Sequence, residues 1–264
     1  MKNVVKLVSS VVFISMISFI NAQQTSQAGV GIVLEMKPVL QLDITSPDQI
    51  NFVFNDKQAY AKGITKKSAT IIKVTSTTKW DLYAVGRSMG TSPNGKTFWD
   101  QEKSYGSSVN SVADLPLSLL ELRQSRTNSK DANATSVSDY SSAFSTTQAA
   151  ATGSNSLFVN DDGSATPPLA DNKYIAGHAG TTADDSMTAG TYLNNSGTSS
   201  DFYYVMDYRI MPGLPAIFPN AFAADSTTAE DIATVAAAGA GTGAEYAEGG
   251  VYTMYVQYVL LEDQ

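Results

Sequence analysis

The 264-residue chain contains no cysteine and a single histidine. Without cysteine it has no disulfide, no thiolate metal ligand and no thiol nucleophile. Because His178 is the one imidazole, a zinc site built from several histidines is excluded, and a Ser-His-Asp triad would have to use that residue. His178 lies in a Gly-, Thr- and Asp-rich stretch, which favours a solvated polar side chain in a loop.

Positive charge is also scarce. The chain has 17 basic and 25 acidic residues, which gives a net charge of −8. Nucleic acid and anionic lipid would repel such a surface, so neither is expected as a direct partner.

Motifs for nucleotide binding and hydrolysis are absent from the sequence. There is no phosphate loop and no Gly-x-Ser-x-Gly elbow. The carboxylate pairs Asp161-Asp162 and Asp184-Asp185 lack the spacing of a calcium loop. Residues 160–163 are interpreted as a turn, with a loose calcium site as the alternative. The sequence therefore predicts no catalytic residue, no cofactor and no metal site.

The first 22 residues have the pattern of a secretory signal peptide. Lys2 and Lys6 flank the start of an apolar run over 7–20, and Ala22 precedes the polar Gln23. A basic start, an apolar centre and a small residue at the cut site are typical of such peptides. We expect cleavage after Ala22, with an uncleaved N-terminal anchor as the alternative, and no transmembrane helix in the cleaved chain.

Alternating apolar residues predict β-strands at both ends of the remaining chain. The runs lie at 30–35, 39–44, 50–54, 69–76, 80–85, 202–210 and 251–261. Period-two alternation interrupted by turn residues is typical of a sandwich or barrel. The last run has apolar residues on both faces, which predicts a central strand.

The stretch 86–201 has a different composition, rich in Ser, Thr, Asn, Asp and Gly, with apolar islands at 115–122 and 157–159. It predicts long loops around a few strands, at one end of the sandwich. Thr227 and Glu230 form a capping box before an alanine-rich run to Ala238, which predicts one short helix. The predicted organisation is a signal peptide at 1–22 and one all-β antiparallel β-sandwich domain at 23–264, with a loop-rich insertion at 86–201.

Six residues are singled out by type and position. Trp80 and Leu82 share one face of a predicted strand, and we expect them in the core together with Tyr252 and Val256. A ligand-binding role is the alternative for Trp80. Phe98 and Trp99 follow an Asn-Gly turn on a polar stretch, where an exposed aromatic pair would suit stacking on a glycan or a partner protein.

Two segments resemble the WxL-type bacterial surface domains. Trp80-Asp81-Leu82 is similar to the Trp-x-Leu motif of that family, after a lead-in of 40–44 and 50–52. The run 250–260 resembles its closing strand, with Tyr258 where the second tryptophan usually stands. Pilin-like sandwiches also end on such a strand. The resemblance implies a β-sandwich of the bacterial surface.

Together these features predict a non-enzymatic, exported bacterial envelope protein that acts in binding or assembly, at the cell surface, in the periplasm or on an appendage. The expected partner is an envelope protein, such as an outer-membrane channel, or a surface glycan. One alternative is an accessory plug or cap subunit of an outer-membrane secretion machine, and another is a glycan-active enzyme. The tripeptides 185–187 and 225–227 fit an O-glycosylation pattern of one group of Gram-negative bacteria, with chance occurrence as the alternative.

Overall fold

The computed structural model describes residues 31–91, 96–125, 140, 143–146, 155–160, 165–168, 173–178, 189–194, 202–213, 216, 221–222, 229–230 and 246–263. The chain divides into a unit that ends at Lys37 and a unit from Pro38 onward. The predicted signal peptide, both carboxylate pairs and both glycosylation tripeptides lie outside the described residues.

Short strands make up most of the regular structure. In chain order they are β1 (Leu40–Thr45), β2 (Ile64–Ser76), β3 (Trp80–Arg87), β4 (Asp100–Ser104), β5 (Ser111–Val112), β6 (Glu121–Gln124), β7 (Phe158–Val159), β8 (Tyr174–Ala176), β9 (Gly190–Thr191), β10 (Tyr203–Ile210), β11 (Ala221–Phe222), β12 (Ala229–Glu230), β13 (Tyr246–Ala247), β14 (Gly250–Thr253) and β15 (Tyr255–Glu262). Helix α1 spans Lys57–Lys62, and two 3-10 turns span Leu117–Leu119 and Tyr192–Asn194.

Two sheets form the body of the second unit. The first has the strand order β1-β2-β10-β6, with β9 also on β2, and the second has the order β15-β3-β7, with β8 also on β3. Their pairs are antiparallel apart from the short pairing of β3 with β7. The predicted all-β sandwich is therefore confirmed.

The alternation of β2 sets the inner face of the first sheet. Ile72 and Val74 are fully buried, while Lys73 between them is only half-buried. Tyr204 on β10 stands opposite Ile72 and joins the same core. Burial of one face against a second layer is the physical reason for this period-two pattern.

Strand β3 is buried on both faces. Trp80 and Leu82 have no exposed surface and lie in the main core. The Trp80 ring packs against Tyr204 at 6.3 Å between centroids, in an edge-to-face arrangement. On the opposite face, Tyr83 meets Tyr174 with centroids 5.6 Å apart. The structure thus places Trp80 and Leu82 where the sequence predicts them, and full burial leaves Trp80 no surface for a ligand.

The stretch 86–201 contributes more to the core than its composition predicts. Leu117, Leu122, Leu157 and Ile175 have no exposed surface. Strand β6 belongs to the first sheet, and β7 and β8 belong to the second. The few strands predicted in this stretch thus belong to the two sheets, and the apolar islands at 115–122 and 157–159 contribute side chains to the core.

The predicted last strand consists of two strands. The chain changes sheet after Thr253, so that β14 pairs with β4 and β15 pairs with β3. Within the described residues β15 has β3 as its one strand neighbour, which makes β15 an edge strand. Among the described residues, β15 therefore does not hold the central position that the sequence predicts.

The apolar residues on both faces of β15 have a different cause. Tyr258 and Leu260 face the main core between the sheets, whereas Val259 and Leu261 pack on the outer cluster of Tyr83 and its neighbours. Both faces of the sheet are covered at this point, so apolarity on two faces does not require two strand neighbours.

Helix α1 is not among the elements predicted from the sequence. The Asp56 side chain accepts a hydrogen bond from the Ala59 amide at 2.8 Å, which caps the helix, and Gly63 ends it with φ +70°. The helix predicted from Thr227 is wrong at its start, because β12 pairs there with β11. Residues 231–240 lie outside the described residues.

The predicted strand at 50–54 is only partly realised. Ile50, Phe52 and Phe54 pack against the core with alternating burial, but these residues join no strand. Within the described part of the chain, no helix has the length and apolar character needed to cross a bilayer.

Candidate interaction surface

One side of the sandwich is bounded by two edge strands. Strand β1 ends the first sheet and β15 ends the second, and the two strands contact each other. On their outward edges neither has a strand partner among the described residues. Backbone N–H and C=O groups on a free edge are a template for another strand.

The inner face of β1 is incompletely covered. Leu42 and Ile44 stand opposite Val74 and Ile72, so they share the face that points to the core. Ile72 and Val74 are fully buried, whereas Leu40 is 40% exposed and Ile44 is 45% exposed. Apolar side chains directed at the core are therefore open to solvent on this side.

The facing strand shows the same pattern. Val256, Tyr258 and Leu260 of β15 stand opposite β3 residues that line the core, and all three are only half-buried. We call these three residues, together with Leu40, Leu42 and Ile44 of β1, the open seam.

Tyr258 anchors β15 within the open seam. Its hydroxyl group hydrogen-bonds to the hydroxyl of Tyr208, which in turn donates to Thr70 Oγ1 at 2.7 Å. Burial of the Tyr258 hydroxyl raises its pKa well above the usual value. The tip of this side chain is thus fixed in the core, while the backbone of β15 lies at the edge.

Residues 31–37, the first described residues of the chain, carry four large apolar side chains that are almost fully exposed. Ile32 is 90% exposed, Val33 92%, Leu34 80% and Met36 83%. The strand predicted at 30–35 is wrong for the described residues, since 31–35 form no strand. A strand needs a neighbour for its backbone hydrogen bonds, and alternation in the sequence does not supply one.

The aromatic pair predicted as a contact site is not exposed. Phe98 is buried and forms a bridge with Pro116. Trp99 is half-buried, its amide donates to the Leu115 carbonyl at 2.8 Å, and its indole Nε1 donates to the Pro116 carbonyl at 3.1 Å. The prediction that Phe98 and Trp99 stack on a glycan or partner is corrected: they support the 115–120 segment.

Tyr252 and Val256, predicted as core residues, are half-buried and pack against the main core. The Tyr252 hydroxyl donates to the Glu248 carbonyl at 2.8 Å and accepts from Gln101 Nε2 at 2.9 Å. Burial raises the pKa of Tyr252 to about 12, and the Glu248 carboxylate adds to the rise. Tyr252 thus links β14 to β4 and stays protonated at neutral pH.

His178 belongs to a structural cluster and not to a solvated loop. Its ring stacks on Tyr174 with centroids 4.1 Å apart, and its Nδ1 lies 3.8 Å from a carboxylate oxygen of the buried Asp81. Gly177, with φ +100°, allows this approach, since a Cβ there would lie 2.3 Å from the Trp80 carbonyl oxygen. Only the glycine before His178 could have indicated such close packing in the sequence.

Buried charges elsewhere have partners within the fold. Glu121 and Arg209 form an ion pair on the outer face of the first sheet. Burial raises the pKa of the Glu121 carboxyl group more than Arg209 lowers it. Lys173 Nζ donates to the Ser156 carbonyl at 3.1 Å. Among the described residues no group of three or more His, Cys, Asp or Glu side chains is arranged to hold a metal ion.

No protein-family model matches this chain, and no curated protein sequence matches it. The likeness to WxL-type domains stays a prediction from the motifs at 80–82 and 250–260. The open seam and the exposed segment 31–37 are thus the features of the molecule that point to a function.

Proposed function

We propose that this chain is a non-enzymatic, exported protein of the bacterial envelope, and that it acts in binding or assembly through the open seam. The observation that carries the proposal is the half-exposure of inner-face apolar residues, Leu40 and Ile44, beside two strand edges without partners in the described chain. The basic and apolar pattern of residues 1–22 supports export.

The chemistry of the two edges supports this proposal. Soluble proteins usually protect an edge strand with lysine, proline or inward charges, because an unprotected edge pairs with other chains. Strand β1 has one charged residue, Asp43, and β15 has one, Glu262, at its end. Neither strand contains lysine or proline.

An added strand would meet two needs of the open seam at once. Its backbone would complete the hydrogen bonds of an edge, and its alternate side chains would cover the apolar residues behind that edge. This mode of recognition suits a protein segment better than a glycan, because the seam is apolar and its polar groups are mainly backbone. The surface-glycan partner and the glycan-active enzyme therefore receive no support from this site.

Site-specific photo-crosslinking in cells tests the proposal. A photoreactive phenylalanine analogue would replace Tyr255, an exposed residue at the start of β15, and the matched control would replace Tyr105, an exposed tyrosine next to β4. We expect protein adducts from position 255 and none of the same size from position 105. A large outer-membrane channel in the adduct would favour the plug or cap alternative.

The result that contradicts the proposed function is the absence of any adduct from position 255 in a protein that is folded and exported at the parental level. Adducts of equal size and yield from both positions would also contradict it, because they would reflect general exposure and not the seam.

A further inference from the structure

We infer that the open seam is filled by residues 31–37 of a second copy of this chain, added as a strand along β15. The inference rests on the proposed function and names the partner. Each copy would donate one segment and offer one seam, so that copies join head to tail into a ring or an open filament.

The side chains of the segment match those of the seam. Ile32, Leu34 and Met36 alternate with Gly31, Val33 and Glu35, so an extended segment presents three large apolar groups on one face. Val256, Tyr258 and Leu260 repeat on the inner face of β15 at the same two-residue spacing. The donor residues are 80–90% exposed in the single chain, so their burial supplies a hydrophobic driving force.

The backbone of the segment also fits this role. At about 3.3 Å per residue, a seven-residue strand spans about 23 Å and the eight residues of β15 about 26 Å. Residues 31–37 contain no proline, so no amide that points at β15 lacks its N–H. Pro38 has no N–H and would end the ladder. Donor and acceptor strands thus agree in length and in hydrogen-bonding groups.

The chain around Pro38 does not favour a tight hairpin of residues 31–37 back onto β1. Proline restricts the preceding Lys37 to an extended backbone. Val39 continues the ladder of β1, since its amide donates to Thr77 Oγ1 at 2.8 Å and its carbonyl accepts from the Thr77 amide at 2.9 Å. The residues at 36–39 are Met-Lys-Pro-Val, without the Asn-Gly or Asp-Gly pair that favours a tight hairpin.

Engineered disulfides test the contact directly, since the protein has no cysteine of its own. If Leu34 faces Tyr258, residue 35 lies opposite residue 257 in an antiparallel pair and opposite residue 259 in a parallel pair. Glu35→Cys protein would be mixed under mild oxidation with Gln257→Cys protein in one sample and with Val259→Cys protein in another. We expect a disulfide-linked dimer in one of the two mixtures, with yield at least tenfold above the control mixture.

The control mixture combines Glu35→Cys protein with Val109→Cys protein, because Val109 is exposed and lies outside the seam. Single-cysteine proteins can form this bond only between molecules. Two double variants, Glu35→Cys/Gln257→Cys and Glu35→Cys/Val259→Cys, test whether the segment instead pairs with β15 of its own molecule. An efficient disulfide within a monomer would overturn the inference and assign the seam to the segment of the same molecule.

A charge in the donor segment gives an independent readout. Leu34→Asp would place a carboxylate in the apolar seam, so we expect at least a tenfold weaker self-association by sedimentation velocity than for the parent or for Val109→Asp. The melting temperature of the monomer should not change, because Leu34 is exposed there. A parent protein that stays monomeric at high micromolar concentration, with no cross-link in either mixture, would overturn the inference.

Failure of this inference is distinguishable from failure of the proposed function. Adducts at position 255 with a different protein, together with a monomeric parent, would reject the second copy and leave binding at the seam in place. Absence of both adducts and self-association would reject both.

Discussion

The guanidinium group of Arg209 holds the carboxylate of Glu121 by two hydrogen bonds, Nε to Oε2 at 2.5 Å and Nη2 to Oε1 at 2.6 Å. The two residues stand directly opposite each other on β10 and β6. A third N–H of Arg209 reaches the Ser145 carbonyl, and the Phe144 ring lies 4.6 Å from the guanidinium carbon. The pair ties segments of the 86–201 stretch to a strand from the last third of the chain.

Removing one partner of this pair should be costly. Arg209→Leu would leave the Glu121 carboxylate buried without its cation, so we expect a loss of about 3–5 kcal/mol in the free energy of unfolding. The double variant Glu121→Leu/Arg209→Leu should regain most of that loss, because no buried charge is left. Urea unfolding measures both, with Arg123→Leu on the same face of β6 as the matched control. A single variant as stable as that control would contradict the prediction.

Trp80 should be one of the most sensitive positions in the fold. Its side chain is fully buried between Phe202 and Tyr204, so Trp80→Ala should cost about 3–5 kcal/mol through lost burial and a cavity. Trp99→Ala is the control, since Trp99 is only half-buried and should cost clearly less. Thermal unfolding compares the two. Equal melting temperatures for the Trp80 variant and the parent would show that the packing around β3 is wrong.

Asp100 should make stability depend on pH in the acid range. Its buried carboxylate accepts from the amides of Met89 and Thr91 and from the Thr91 hydroxyl, at 2.5–2.7 Å. Burial would raise the pKa of Asp100, but these hydrogen bonds outweigh it and hold the pKa below its usual value. The folded state therefore gains stability from ionised Asp100 above about pH 3.9, and loses it as the pH falls through the lower folded pKa.

Asp100→Asn tests this effect. At pH 6 the variant should be less stable by about 1–3 kcal/mol, because hydrogen bonds to a charged group are lost. The difference from the parent should shrink as the pH is lowered from 5 to 2.5. Asp48→Asn, at an exposed site, is the control and should show no such trend. A parent-to-variant difference that is constant over this range would contradict the assignment.

The sequence predicts strands well where one face is buried against the other sheet. Ile72 and Val74 in β2 and Trp80 and Leu82 in β3 follow that rule, and the predicted faces are the observed ones. The order of strands within a sheet is not encoded in this pattern. Apolar residues such as Val259 appear on the outer face of β15 because Tyr174, on the short strand β8, packs there with Tyr83.

The candidate surface was partly visible in the sequence and partly not. The alternation of Ile32, Leu34 and Met36 predicts a strand, but only the structure shows that these residues are exposed and have no strand neighbour among the described residues. Conversely, the polar setting of Phe98 predicts exposure, but Phe98 forms a bridge with Pro116 and is buried. Backbone hydrogen bonds of its neighbours Thr97 and Trp99 hold it against the apolar segment 115–117. Whether a side chain is exposed depends on contacts with other segments of the chain, and the composition of its own segment does not specify those contacts.

Cleavage of the N-terminal segment is a separate prediction, which rests on the sequence of residues 1–22. We expect the exported protein to begin at Gln23. It would carry two fewer positive charges than the full chain, because Lys2 and Lys6 are removed. Intact-mass measurement of protein extracted from the cell envelope checks this. A mass that still includes residues 1–22 would favour the uncleaved anchor.

Deleting the acceptor strand and deleting the donor segment should have opposite consequences. A chain that ends at Met254 loses all of β15, so the eight residues of β3 that pair with β15 lose their partners. The core loses the cover of Val256 and Leu260, and the Tyr208 hydroxyl loses its hydrogen bond with Tyr258. Such a chain should be insoluble or degraded.

Deletion of 31–37 removes only exposed side chains, so the melting temperature should stay within a few degrees of the parent value while self-association is lost. Solubility, thermal melting and sedimentation of the two deletions side by side make the comparison. A soluble, cooperatively melting chain that ends at Met254 would mean that β15 is dispensable to the monomer, and β15 would then be the segment that a neighbouring molecule exchanges.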